Sequence, residues 1–122
     1  MIIWRAPMED KKVIDIIEKE YPEMMELFKD FQKRQYTLFC RKQHDYGENN
    51  ISLGQDLTKA KNIKKSLQGL WFRMHDKIQR FYNLVERDTE VAVKDDPLED
   101  VFMDLANYSI ISFLVKTSKW GR

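Results

Sequence analysis

Apolar residues recur along the chain at intervals of three and four, and this pattern predicts four main helices. The first runs from about Met8 to Glu20, with Val13, Ile14, Ile16 and Ile17 as its apolar stripe. Tyr21-Pro22 then breaks the chain, and Pro22 suits the first turn of a second helix. That helix carries Met24, Leu27, Phe28, Phe31, Leu38 and Phe39 at helical spacing and stops at Gly47, the residue type favoured just past a helix end. Glu48 to Leu57 shows little periodicity and reads as a loop or mobile flap, and Lys59 to Lys65 as a short helix or a lead-in to the next. The third helix, about Ser66 to Arg87, sets Leu67, Leu70, Trp71, Met74, Ile78, Phe81, Tyr82 and Val85 on one side. Asp88 to Asp95 is a charged connection with an extended Val91-Ala92-Val93 as one option. Asp96-Pro97 with Glu99 then carries a helix-start signature, and the fourth helix runs to about Lys119. Four such helices, with no run of alternating strand residues, predict an all-α fold: an antiparallel bundle with room for one short extra helix.

The 122 residues are enough for a single domain around one hydrophobic core. With 43% hydrophobic and 34% charged residues, and few Gly and Pro, the disordered and low-complexity classes are excluded. Lys and Arg total 21 against 20 Asp and Glu, so the net charge of +1 exerts no global pull toward nucleic acid or anionic membrane, and any polyanion site is local. Cys40 has no second cysteine to bond and sits beside Leu38 and Phe39, which reads as a core position in a protein of the reducing cytoplasm. Neither a membrane span nor a signal peptide is expected. Trp4, Trp71, Trp120 and the apolar fourth helix give a small bundle more surface than it covers alone, so a homo-oligomer is expected.

The fourth helix is apolar nearly all round and reads as buried, so its polar positions carry information. Asp100, Asp104 and Asn107 fall at i, i+4 and i+7, in one narrow stripe. Two carboxylates and an amide at that spacing suit a hard cation, Mg²⁺ above all, although acids in a first turn also suit the helix dipole. Asp96 is either a further ligand or simply an N-cap. On the third helix Arg73, Asp76, Lys77 and Arg80 lie away from the apolar stripe, as a polyphosphate cradle or as ordinary solvated charge. At the end of the second, His44 offers phosphate binding or proton transfer, Asp45 a metal ligand and Tyr46 a ring to stack on a base, though helix termination explains much of the same string. The run Lys59, Lys61, Lys64 and Lys65 lacks interleaved aromatics and reads as a solvated face before a nucleic-acid patch. No Walker loop, dinucleotide-binding glycine pattern or nucleophile elbow is present.

His44-Asp45-Tyr46-Gly47, Arg73-x-x-Asp76-Lys77-x-x-Arg80 and Asp96-x-x-x-Asp100-x-x-x-Asp104-Leu105-Ala106-Asn107-Tyr108 together resemble the first nucleotide-modification-associated domain family of bacteriophages and bacteria. The resemblance covers about Phe39 to Val115. It implies nucleotide or nucleic-acid modification metabolism. More distantly, the chain is similar to the all-α nucleoside triphosphate pyrophosphohydrolases of the MazG and dimeric dUTPase type. It departs from their paired Glu-x-x-Glu by placing Asp76 among cations.

The resulting expectation is a Mg²⁺-dependent nucleotide phosphoanhydride hydrolase. Asp100, Asp104, Asp76 and Asp96 would hold metal, and Tyr46, Arg73, Lys77, Arg80 and Asn107 would bind substrate, with His44 and Asp45 as catalytic groups. The alternative is a non-catalytic module that binds a nucleotide, a nucleic acid or a modifying enzyme.

Overall fold

Tyr21 stands between two helices at φ −131° and ψ 62°, while its N–H still bonds the Ile17 carbonyl at 2.9 Å. Helix α1 (Asp10–Glu20) ends there and α2 (Pro22–Tyr46) begins, as the proline dictates. Lys29 Nζ donates to Glu18 Oε2 at 3.0 Å across the corner. The computed structural model describes residues 5–87 and 97–122. Trp4, Asp96 and the expected connection from Asp88 to Asp95, including its Val91-Ala92-Val93, lie outside the described residues. The chain divides into two compact units, Met1–Tyr36 and Thr37–Arg122. In the first, α1 buries no residue, and Val13, Ile14 and Ile16 of its apolar stripe are exposed.

In the second unit, Gly47 at φ +67° ends α2 in the left-handed conformation, and its N–H bonds the Gln43 carbonyl at 2.9 Å. The stretch expected to be an open loop contains a one-turn helix, α3 (Asn49–Ser52). Side chains from outside it bond two of its own carbonyls and that of the residue before it. Ser66 Oγ donates to Ile51 O at 2.7 Å, Arg73 Nη2 to Asn50 O at 2.9 Å, and Trp120 Nε1 to Glu48 O at 3.0 Å. These bonds turn a presumed flap into a fixed strap.

Helix α4 (Ala60–Glu86) starts ahead of the expected Ser66 and absorbs most of the lysine run. The cause is local: Asp56 Oδ1 accepts from Thr58 N at 2.9 Å and from Thr58 Oγ1 at 2.7 Å, and Asn62 Nδ2 reaches back to Asp56 O at 2.9 Å. This Asx turn aims the chain into the helix. Helix α5 (Pro97–Lys116) opens on its proline as expected. Phe81 meets Phe102, Lys77 meets Asp104, and Leu70 shares a cluster with Val115, so α4 and α5 run antiparallel. That cluster joins Ile51, Leu57, Leu70, Val115 and Trp120, with Phe39, Ile63, Leu67, Tyr108, Ile111 and Leu114 packed around it. No strand occurs among the described residues, and the fold is all-α.

Four expectations need correction here. Trp120 is a core residue at 7% exposure rather than a surface aromatic. Cys40 is exposed rather than part of the core. On α4, Trp71, Ile78, Tyr82 and Val85 are exposed, and on α5 Phe102, Ile110 and Phe113 are exposed, so α5 is not buried all round. In each helix the apolar positions extend further round the cylinder than the residues of the Leu70–Val115 cluster cover. The apolar side chains available for self-association therefore include Trp71 but not Trp120. Among the described residues, no helix is long and apolar enough to cross a membrane.

Candidate functional site

The polar stripe of α5 runs from solvent into the interior. Asp100 is exposed, the Asp104 side chain retains 19% of its surface, and Asn107 is 7% exposed. Asp104, Asn107, Tyr108 and Ile111 occupy i, i+3, i+4 and i+7, and Phe39, Lys42, Gln43 and Tyr46 repeat that spacing on α2. Both faces line one cavity of about 160 Å³, completed by Asn50 and Ile51 of α3, Arg73 of α4, and Trp120. The strap bonds made by Ser66, Arg73 and Trp120 thus also fix the cavity wall. Trp120 and Asn107 form a buried floor, whereas Lys42 and Tyr46 are exposed at the rim.

Asp104 is held between two ammonium groups. Lys42 Nζ approaches Oδ1 at 3.3 Å and Lys77 Nζ approaches Oδ2 at 2.9 Å. Burial pushes the carboxyl pKa up, but the Lys77 hydrogen bond and the Lys42 and Lys77 charges outweigh it and hold the pKa below the ordinary value. A lowered folded-state pKa means that ionised Asp104 stabilises the fold at neutral pH. The contribution is lost as pH falls below about 4 toward the lowered value, where the unfolded chain takes up its proton first. Asp104→Asn should therefore flatten the acid side of a stability–pH curve, read as urea midpoints between pH 7 and pH 3. Parallel curves for the two proteins would mean that the ion pairs do not form in solution.

Asn107 presents the opposite situation. Neither its Oδ1 nor its Nδ2 has a hydrogen-bond partner, although both atoms are buried. Leaving such a group unpaired costs roughly 1–3 kcal/mol.

Of the residues expected from sequence, Tyr46, Arg73, Asp104 and Asn107 line the cavity, and Lys77 joins them through Asp104. His44 and Asp45 are not among the lining residues. His44 Nδ1 bonds Asp45 Oδ1 at 3.0 Å with side chains 88% and 73% exposed. Asp76 and Asp100 are exposed, and neither they nor Arg80 line the cavity. Asp96 lies outside the described residues. Among the described residues, no three His, Cys, Asp or Glu side chains form a group able to hold a metal ion. Sequence reasoning passed over Phe39, Lys42, Gln43 and Trp120 as site residues. For the first three the signal was available, because the α2 stripe that buries Phe39 continues into Lys42, Gln43 and Tyr46. For Trp120, which follows α5, no periodicity exists to read.

The cavity is thus partly apolar, with cations among its lining residues. The family model of nucleotide modification associated domain 1 matches residues 42–115, more than half of the chain, and the chain belongs to that family. The matched segment holds the cavity residues from Lys42 to Ile111. No curated protein and no solved structure matches the chain.

Proposed function

We propose that this chain binds a nucleotide in the cavity between α2, α3 and α5, as a component of nucleotide-modification metabolism. The observation that carries the reading is one cavity lined by the rings of Phe39, Tyr46, Tyr108 and Trp120 and by the cations Arg73 and Lys42. The base enters among Tyr46, Tyr108 and Phe39, which supply ring faces. The phosphates stay at the rim, where Arg73 offers planar donors and Lys42 and Lys77 compact charges. One N–H of Arg73 already bonds the Asn50 carbonyl, which fixes the guanidinium and leaves its other donors for a ligand.

Catalysis by Mg²⁺ has weaker support. A Mg²⁺ site is built from carboxylates, water and substrate phosphates. Among the described residues Asp104 is the one carboxylate lining this cavity, and both its oxygens are engaged by lysines. That donor set does not fit a metal held by the protein, so binding without hydrolysis is the favoured reading. The test is calorimetric titration with deoxynucleoside mono-, di- and triphosphates, in Mg²⁺ and in chelator, with product analysis of the same samples. Binding that survives chelation and yields no phosphate or pyrophosphate is expected. Release of either product only in Mg²⁺ would establish the hydrolase instead.

A further inference from the structure

We infer that two copies of this chain pair through the outward face of α5, antiparallel and in a single register. Glu99, Phe102, Ala106, Ser109, Phe113 and Lys116 follow one another at intervals of three, four, three, four and three, the spacing that keeps residues on one seam between two helices. Phe102 and Phe113 are 41% and 63% exposed, and Ser109 and Lys116 are exposed as well. Between Glu99 and Lys116 the other charges on α5 are Asp100 and Asp104, and helical periodicity puts both on the far side of the cylinder. The seam is therefore apolar through its middle and charged at its ends.

A second copy is the partner that this seam matches, because its order of sizes is the same in both directions and its end charges are opposite. With Ala106 set against the partner's Ser109, Phe102 meets the partner's Phe113 and Glu99 meets the partner's Lys116, and every contact occurs twice about the twofold axis. The small central residues let the two helices approach while the Phe rings fill the space on either side. Ser109 Oγ already donates to Leu105 O at 3.0 Å, so its hydroxyl enters the seam with its donor satisfied. A parallel pair would set Glu99 on the partner's Glu99 and Lys116 on the partner's Lys116. Charge complementarity thus selects the direction as well as the partner. Asp104, Tyr108 and Ile111 of the cavity wall each follow a seam residue by two positions, about 200° further round the helix. Pairing therefore leaves the cavity uncovered, and this inference does not depend on what the cavity binds.

The experiment is sedimentation equilibrium over a concentration series of the intact protein, of Phe113→Lys, of Lys116→Glu and of the double variant Glu99→Lys/Lys116→Glu. The parent is expected at twice the chain mass of 14.7 kDa. Phe113→Lys should raise the dimer dissociation constant about a hundredfold or more, because it sets a cation against the partner's Phe102 at both ends of the seam. Lys116→Glu should raise it roughly tenfold by opposing like charges, and the double variant should return it to within about threefold of the parent by restoring opposite ones. Retention of the parent's helical circular dichroism in each variant separates lost pairing from lost folding. A parent that stays at the single-chain mass up to about 0.5 mM overturns the inference, and the stripe then serves a partner of another kind. A dimer that Phe113→Lys leaves intact overturns it too. So does a double variant that pairs no better than Lys116→Glu, since the antiparallel register rests on that exchange.

Discussion

Trp120→Ala should lower the thermal midpoint by roughly 10–20 °C, the size of change expected when a buried Trp is truncated at a cost of about 3–5 kcal/mol in a small domain. Trp120 is 7% exposed, stands edge-on to Phe39 with ring centroids 6.1 Å apart, and packs in the cluster with Leu70 and Val115. Its Nε1 also holds the Glu48 carbonyl at 3.0 Å. The variant therefore opens a void and frees the start of the strap together. Trp120→Phe separates the two effects, since it keeps most of the packing and loses only the hydrogen bond, at about 1 kcal/mol. Differential scanning calorimetry of both variants reads the difference. Equal losses for Phe and Ala would mean that the indole N–H, and not the ring, secures the C-terminal segment. Because Trp120 lines the cavity, Ala at this position should also weaken nucleotide binding at temperatures where the variant remains folded.

How much of this was legible in the sequence depended on which physical signal each element carries. The four long helices were readable because 3.6-residue periodicity is local, and Pro22, Gly47 and Pro97 punctuate it where the chain needs a start or a stop. For the start of α4 the sequence left open a short separate helix or a lead-in over Lys59 to Lys65, and the turn closed by Asp56 and Thr58 starts one continuous helix there. Burial was the least legible property. On α4 the broad stripe from Leu67 to Val85 looks like a core face, yet Trp71 is 60% exposed while the Lys77 side chain is only 26% exposed. Periodicity locates an apolar face but does not tell which neighbour covers it. Here the contacts of α5 pull Lys77 inward through Asp104.

The same distinction governs the candidate site. Asn107 was conspicuous as a polar interruption in an apolar helix, and the fold places it with Arg73 and Tyr46 in the lining of one cavity. Asp104 belonged to the same stripe, and spacing alone made it a partner of Asp100. Its neighbours in space are Lys42 and Lys77, separated from it by 62 and 27 positions of sequence. A one-dimensional pattern carries no trace of such pairings. His44 and Asp45 show the converse, since their proximity in sequence is realised only as a solvent-exposed pair with each other.

Arg73→Met and Asp104→Asn should move nucleotide affinity in opposite directions. Met keeps the apolar stem of Arg73 and removes its charged donors. Loss of one hydrogen bond to a charged group costs roughly 1.5–3 kcal/mol, about a 10- to 150-fold rise in Kd. Part of the change comes from releasing the Asn50 carbonyl, so Arg73→Lys, which retains charge but not the planar fork, should fall between parent and Met. Asp104→Asn acts on the other side of the balance. In the free protein its carboxylate engages Lys42 and Lys77, and a phosphate must compete for both ammonium groups. Neutralising the carboxylate at constant shape releases them, so phosphate-bearing ligands should bind several-fold tighter, with the gain shrinking at high salt as screening weakens the lysine charges. If Asp104 instead anchored Mg²⁺ for the nucleotide, the same substitution would weaken binding in Mg²⁺ and leave it unchanged in chelator. The sign of the Asp104→Asn effect, measured with and without metal, therefore distinguishes a lysine counter-ion from a metal ligand without relying on turnover.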